Sequence, residues 1–323
     1  MNSNSIAILL ADGVGVRNFI YGKLIDELIA KGYEIIVFHF LHEGFADLIP
    51  LEIRQKIKLV KLPEIRESIP CRLLRQAKVF GQLYGRMKED NSQVVFDMQF
   101  RHKPKGFQHK LFALAVHTLA KIHKSPVGLD QLEVKHQAFV RKGKGFAVYA
   151  KILKSYNFNV VFCTHQRASK AVPVLEAAKD LGVITATFIY SWDNLPKGRM
   201  ATMPDYYFVW SKFMKQQMHT YYPNLPDERV IITGTPQFEP YFDETKIWNK
   251  SEFLDKMKLV QNRPIVCYSG DDETTSPFDE YYLKDIAEAF RQIPEEQRPQ
   301  IIFRACPVDH SGRFDWVLKE YAE

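Results

Sequence analysis

With 323 residues, the chain is long enough for two domains, each able to bury a core of its own. Its content of 46% hydrophobic and 25% charged residues excludes a disordered or fibrous chain, and no apolar run reaches the length of a bilayer span. The net charge of +6 is uneven: residues 72–155 hold 17 Lys and Arg against 5 Asp and Glu, and the remainder holds 27 against 33.

Residues 6–10 (IAILL) read as a first buried strand, followed by a turn at Asp12-Gly13-Val14-Gly15. The start lacks the basic residues of a signal peptide. Residues 18–32 place Ile20, Leu24, Leu28 and Ile29 at helical spacing before Gly32, and 33–40 (YEIIVFHF) form a second strand. Such a β–loop–α–β start is how a doubly wound parallel sheet begins. From about 66 to 155 the pattern is largely helical, with loop-like breaks around 103–106 and 125–128. Basic segments of this kind meet phosphates, on a membrane surface or on nucleic acid, or else form a solvated helix face. No nucleic-acid motif accompanies this one, so nucleic acid is not an expected partner.

Strand patterns return at 159–163, 183–190, 205–211 and 229–236, with helices at 171–182 and 212–223. The mixed polar stretch 240–262 is the expected boundary, giving an N-terminal Rossmann-like domain 1–245 with a helical insertion at 66–155. A second, incomplete Rossmann-like domain 246–323 has strands at 264–270 and 299–307. The expected class is therefore α/β. Cysteines 71, 163, 267 and 306 have neither CxxC nor metal-ligand spacing. Free thiols in a cytoplasmic chain with no metal or cofactor are the expectation.

Ligands of open α/β sheets gather beyond the carboxyl ends of the strands, which selects five loops: 12–18, 165–169, 191–199, 269–276 and 304–310. Gly13 and Gly15 let backbone approach a substrate, although tight βα turns also use glycine for geometry alone. The dinucleotide fingerprint lacks its third glycine, which argues against a nicotinamide. His165 suits a general base and Arg167 an anion contact. The third of these turns is unusual: strand 183–190 ends in Ser191, Trp192, Asp193 and Asn194, followed by Lys197 and Arg199. A plain turn needs no such set. Trp192 stacks on a sugar face or packs between sheet and helix; Asp193 acts as a base or binds a hydroxyl; Lys197 or Arg199 meets phosphate. Ser269, Gly270 and Asp271 precede a helix whose N-terminus favours an anion, and Arg304 has the chemistry to clamp a diphosphate.

The segments TFIYSWDNLPKGR, VIITGTPQFEPY and IIFRACPVDHSGRFD resemble the bacterial surface-polysaccharide branch of the GT-B glycosyltransferases. They are similar to UDP-sugar glycosyltransferases and more distantly to CDP-glycerol glycerophosphotransferases. The resemblance implies two Rossmann-like domains, a nucleotide-sugar donor (UDP-linked above others) and metal-independent transfer to a glycan or lipid-linked hydroxyl. Carried over, Ser269, Gly270, Asp271, Arg304, Asp309 and His310 become donor-side residues, with Gly234 and Thr235 in the turn before the interdomain linker. The acceptor base falls first to His165, then Asp193, then Asp12. Arg304-Ala305-Cys306-Pro307 stands where many relatives have Arg-x-His-Pro, so that histidine contact does not transfer. The resemblance also implies a donor domain continuing beyond Glu323. A UDP-sugar 2-epimerase of the same architecture, and a non-catalytic nucleotide-sugar-binding or glycan-assembly protein, are the alternatives. On this reading the chain is cytoplasmic, docking on the inner face of the membrane through the basic 72–155 segment.

Overall fold

The computed structural model describes residues 4–87, 89 and 106–321. The chain divides into two compact units, Met1–Phe242 and Asp243–Glu323. The first is built on seven parallel strands in the order β3-β2-β1-β4-β5-β6-β7. Their ranges are β1 Ser5–Leu10, β2 Glu34–His39, β3 Ile57–Lys61, β4 Val160–Cys163, β5 Ile184–Phe188, β6 Tyr206–Val209 and β7 Val230–Ile232. The strand at Ile57–Lys61 has no counterpart in the sequence reading, because IKLVK is a run of only five residues, two of them lysines, without strict alternation.

Both faces of the central strands are covered, as a parallel sheet requires. Ala7 and Leu9 of β1 face one buried cluster with Phe38, Val161 and Leu175. Ile8 and Leu10 face the other, with Phe19, Val37 and Phe162. That period-two partition fixes the register, since a one-residue slip would exchange the two faces. Ile8, Leu9 and Leu10 are fully buried, each contributing about 1.5–3 kcal/mol of apolar burial.

The expected helix over 18–32 is broken in two. Val16–Ile20 is a π-helix and Leu24–Ala30 an α-helix. Gly22 marks the break, and a side chain there would fall 2.7 Å from the Asn18 carbonyl oxygen. Among the described residues of the insertion the helices are Ile69–Arg86, Phe107–Ile122, Pro126–Arg141 and Lys144–Leu153. The expected break at 125–128 is instead a helix start. Ser125 caps it by accepting the Gly128 N–H at 3.1 Å, with Pro126 in the first turn. Most of the break expected at 103–106 lies outside the described residues. No helix among the described residues is long and apolar enough to cross a membrane.

The second unit pairs two parallel strands, β8 Ile265–Ser269 and β9 Gln300–Arg304. The helices Asp279–Arg291 and Asp315–Glu320 accompany them. Leu283, Phe314 and Val317 form its small core.

Candidate active site

Strand order reverses at β1: β2 and β3 lie on one side of it, and β4 to β7 on the other. The crevice at the carboxyl ends of β1 and β4 is therefore the topological switch point, where sheets of this kind bind ligands. Asp12 follows β1 and His165 follows β4. The structure joins them, 153 residues apart, through a short contact between the Asp12 carboxylate and His165 Nδ1. Asp12 also caps the turn Gly13–Gly15, accepting the Gly15 N–H at 3.1 Å. Partial burial opposes its ionisation, but the His165 contact and the backbone N–H groups of Gly15 and Val14 hold its carboxyl below the usual range. A carboxylate on Nδ1 fixes the imidazole's orientation and leaves Nε2 as its basic nitrogen. Tyr190, at the end of β5, meets the His165 ring edge-on with centroids 4.5 Å apart. The π-helix after Asp12 adds a rare element, of a kind frequent at functional sites.

The glycines of the first loop differ in role. Gly13 faces open space, whereas a side chain on Gly15 would fall 2.3 Å from Thr164 Oγ1. Gly15 is thus required by the packing of the first loop on the second, a structural reason for glycine that stands beside the expected backbone approach to a substrate.

The 191–199 turn is held from within. Ser191 Oγ donates to Asp193 Oδ1 at 2.6 Å, Lys197 pairs with the other Asp193 oxygen, and Asn194 Nδ2 donates to the Ser191 carbonyl at 3.3 Å. Burial again opposes ionisation, yet Lys197 and Ser191 keep the Asp193 carboxyl below its ordinary value. A carboxylate so stabilised is a weak base, which is consistent with placing Asp193 after His165. Arg167 Nη1 reaches Asn194 Oδ1 at 3.4 Å, tying the second loop to this turn. Trp192 is 67% exposed, so it does not pack between sheet and helix; its indole is presented to solvent two residues after Tyr190.

Arg199 lies apart from these groups. It is 3% exposed, with Nη2 on Asp130 Oδ1 at 2.6 Å, Nη1 on the Tyr221 carbonyl at 3.2 Å and its guanidinium over the Tyr222 ring. The phosphate contact expected of Arg199 is therefore replaced by a buried structural pair. Three insertion residues missing from the sequence reading hold the far side of the turn. Gln82 Nε2 donates to the Leu195 carbonyl at 2.8 Å, and Lys78 Nζ to the Ala201 carbonyl at 3.2 Å and Glu133 at 2.6 Å. Insertion cations thus serve the interior too: Arg75 pairs with Glu67, and Arg141 with Asp180 and Glu176.

Gly234 and Thr235 follow β7 and belong to the first unit. Gly234 has a φ of 73°, which only glycine adopts without strain. Thr235 Oγ1 is buried with no hydrogen-bond partner among the described residues.

In the second unit Ser269 and Arg304 are direct ladder partners at the strand ends, and both are exposed. Gly270 N–H donates to the Arg304 carbonyl at 3.0 Å. A side chain on Gly270 would come within 3.0 Å of the Phe314 ring. Arg313, another residue missing from the sequence reading, locks the loops on both sides. Its guanidinium reaches Asp309 at 2.8 Å, the Ser276 carbonyl at 2.6 Å, the Asp271 carbonyl at 2.7 Å and Glu280 at 3.1 Å. Hydrogen bonds from Ser311, with Arg313 beside it, bring the Asp309 carboxyl down to about 2. His310 is exposed. The helix N-terminus expected to receive an anion carries Asp279 and Glu280 in its own first turn, and Asp279 accepts the Asp271 N–H at 2.6 Å and a hydrogen bond from Ser276. At the strand ends the ladder pair Ser269 and Arg304 presents open anion-binding chemistry.

No family model matches the chain, and no curated protein does. Several solved structures do. A putative UDP-N-acetylglucosamine 2-epimerase from Listeria monocytogenes has a TM-score of 0.53 at 10% identity, over 99% of this chain and 66% of that one. A glycosyltransferase from Rickettsia africae ESF-5 gives 0.47 at 13% identity, over 98% and 71%. MurG from Acinetobacter baumannii gives 0.37 at 10% identity, over 96% and 70%. The chain spans about two thirds of the length of these structures. The match above 0.5 is one of fold, Rossmann-like and of the GT-B type.

Proposed function

We propose that the chain is a metal-independent glycosyltransferase, moving a sugar from a UDP-linked donor to a hydroxyl of a surface glycan or its lipid-linked precursor. The observation that carries this reading is the Asp12–His165 pair at the switch point of the parallel sheet. His165 Nε2 takes the acceptor hydroxyl proton as the acceptor oxygen attacks the anomeric carbon. The bond from that carbon to the diphosphate breaks, and the nucleotide leaves with the electron pair. Asp12 stabilises the imidazolium so formed. Ser269, Gly270 and Arg304 meet the diphosphate, and Trp192 offers a stacking face to a sugar. The basic 72–155 segment meets anionic lipid, with the protein working at the inner face of the membrane; failure to sediment with anionic liposomes at low salt would remove that part.

Radiolabelled UDP-sugars incubated with glycan acceptors, with and without a chelator, test the reading. Acceptor-dependent UDP release that survives the chelator supports it. The fold likeness to the Listeria protein favours one second reading, a UDP-sugar 2-epimerase. That activity needs no acceptor, so an epimer formed from UDP-N-acetylglucosamine alone would select it. Nucleotide-sugar binding without turnover of any donor would select a non-catalytic role.

A further inference from the structure

A cavity of about 600 Å³ opens between the insertion helices and the carboxyl edge of the sheet, within the size range of small-molecule sites. Its walls are apolar: Phe40 at the end of β2, Phe146, Tyr149 and Val172 line it. The Tyr149 hydroxyl is turned away, donating to the Pro63 carbonyl at 2.7 Å, so the ring offers only its apolar body.

The mouth is charged. Glu64 is paired with Lys170, and Glu67 is held by Arg75 through two contacts of 2.8 Å. With both acids neutralised, Arg66 and Lys144 remain, exposed and without a carboxylate partner among the described residues. Lys144 also opens the helix Lys144–Leu153, whose N-cap Gly143 supplies no side-chain cap and whose first turn has no acid. Two cations and an uncapped helix start thus converge on the rim of an apolar cavity.

We propose that this cavity binds a phosphate monoester carrying a single apolar chain, its phosphate against Lys144, Arg66 and the helix start, its chain along Phe40, Phe146 and Tyr149. Ser169 lines the same cavity, four residues after His165, a stretch that reaches at most about 14 Å. The ligand therefore lies close enough to the base to anchor an acceptor; as an identification of the acceptor class, the inference rests on the sugar-transfer reading, while the binding itself does not.

Calorimetric titration of the full chain without nucleotide sugar tests the site, using decyl phosphate below its micelle concentration. Each methylene buried strengthens binding by up to about fourfold, so butyl phosphate is expected to bind at least tenfold more weakly. The double variant Arg66→Glu/Lys144→Glu, at two exposed positions, is expected to weaken decyl phosphate at least tenfold while the circular dichroism and Tm stay unchanged. Equal binding of inorganic phosphate would mean an anion site only, and equal binding of decyl glucoside an apolar site only; either overturns the proposal. So does undiminished binding by the double variant. Because no donor is present, failure here leaves the transfer reading standing, and loss of transfer in His165→Ala leaves this binding intact.

Discussion

On the proposed reading His165 and Asp12 divide the work of one base between two residues, and their variants separate the two roles. Removing the imidazole in His165→Ala removes the proton acceptor, with an expected loss of about 10²- to 10⁴-fold in kcat/KM and the fold retained by circular dichroism. Asp12→Asn keeps the shape but loses the negative charge beside Nδ1. Its kcat should fall, because the imidazolium formed in the step is no longer stabilised; an unchanged kcat would remove Asp12 from the mechanism. Asp193→Asn should stay within about tenfold of the parent, since a carboxylate already held down by Lys197 and Ser191 contributes little basicity. Residue types at the strand ends were readable from sequence, but their partners were not. The contact between Asp12 and His165 spans 153 positions, and Arg199 looked like any other turn cation until Asp130 and Tyr222 enclosed it.

Helix Ile69–Arg86 reaches the 191–199 turn with side chains that are buried and polar, an expensive arrangement unless every member is paired. Lys78 is fully buried, and desolvation pulls its ammonium pKa down against the opposing pull of Glu133. Lys78→Met strands the Glu133 carboxylate and should cost about 3–5 kcal/mol in denaturant unfolding. Lys78→Met/Glu133→Leu, which removes both charges, should recover most of that loss; no recovery would mean the helix is held by packing alone. His136 sits in the same cluster, its Nδ1 3.2 Å from Lys78 Nζ. Burial first, then the charges of Lys78 and Arg75, bring its pKa to about 2 from 6.5. The unfolded chain therefore binds a proton that the folded chain refuses between those values. Stability from this residue is whole above pH 6.5 and declines by up to about 1.4 kcal/mol per unit as the pH falls below it. Melting temperatures between pH 7.5 and 5 should show the fall, and His136→Gln should flatten it. At this scale the sequence misled through charge. Counted along 72–155 the cations form a patch, yet Arg75, Lys78 and Arg141 are spent on internal carboxylates. The apolar periods of the larger strands survived because burial on both faces leaves an uninterrupted signal. The short β3 and the π-helix do not follow such periods.

Across the whole chain, chemistry is divided between units of unequal kind. The first has a complete seven-stranded sheet with a titratable pair at its switch point; the second has two strands and a network of fixed charges. Hydrophobic periodicity lapses over the polar stretch 240–262, and the chain divides into its two compact units after Phe242. The organising role of Arg313 was not legible in the sequence, because Asp271, Ser276, Glu280 and Asp309 are gathered around it only by folding. That network makes the donor reading separable into contact and support. Arg304 is exposed on the strand-end ladder and holds up nothing in the core. Arg304→Ala should therefore raise the donor KM about tenfold, the scale of one charge-assisted phosphate contact, with Tm unchanged. Asp309 is tied to Ser311 and Arg313, so Asp309→Asn should lower Tm and weaken UDP binding together. The two responses diverge if Arg304 touches the diphosphate and Asp309 only shapes the loop. If Asp309→Asn instead weakens UDP binding at constant Tm while Arg304→Ala leaves it unchanged, the roles are reversed, and the diphosphate sits over the 309–311 turn instead of the strand ends.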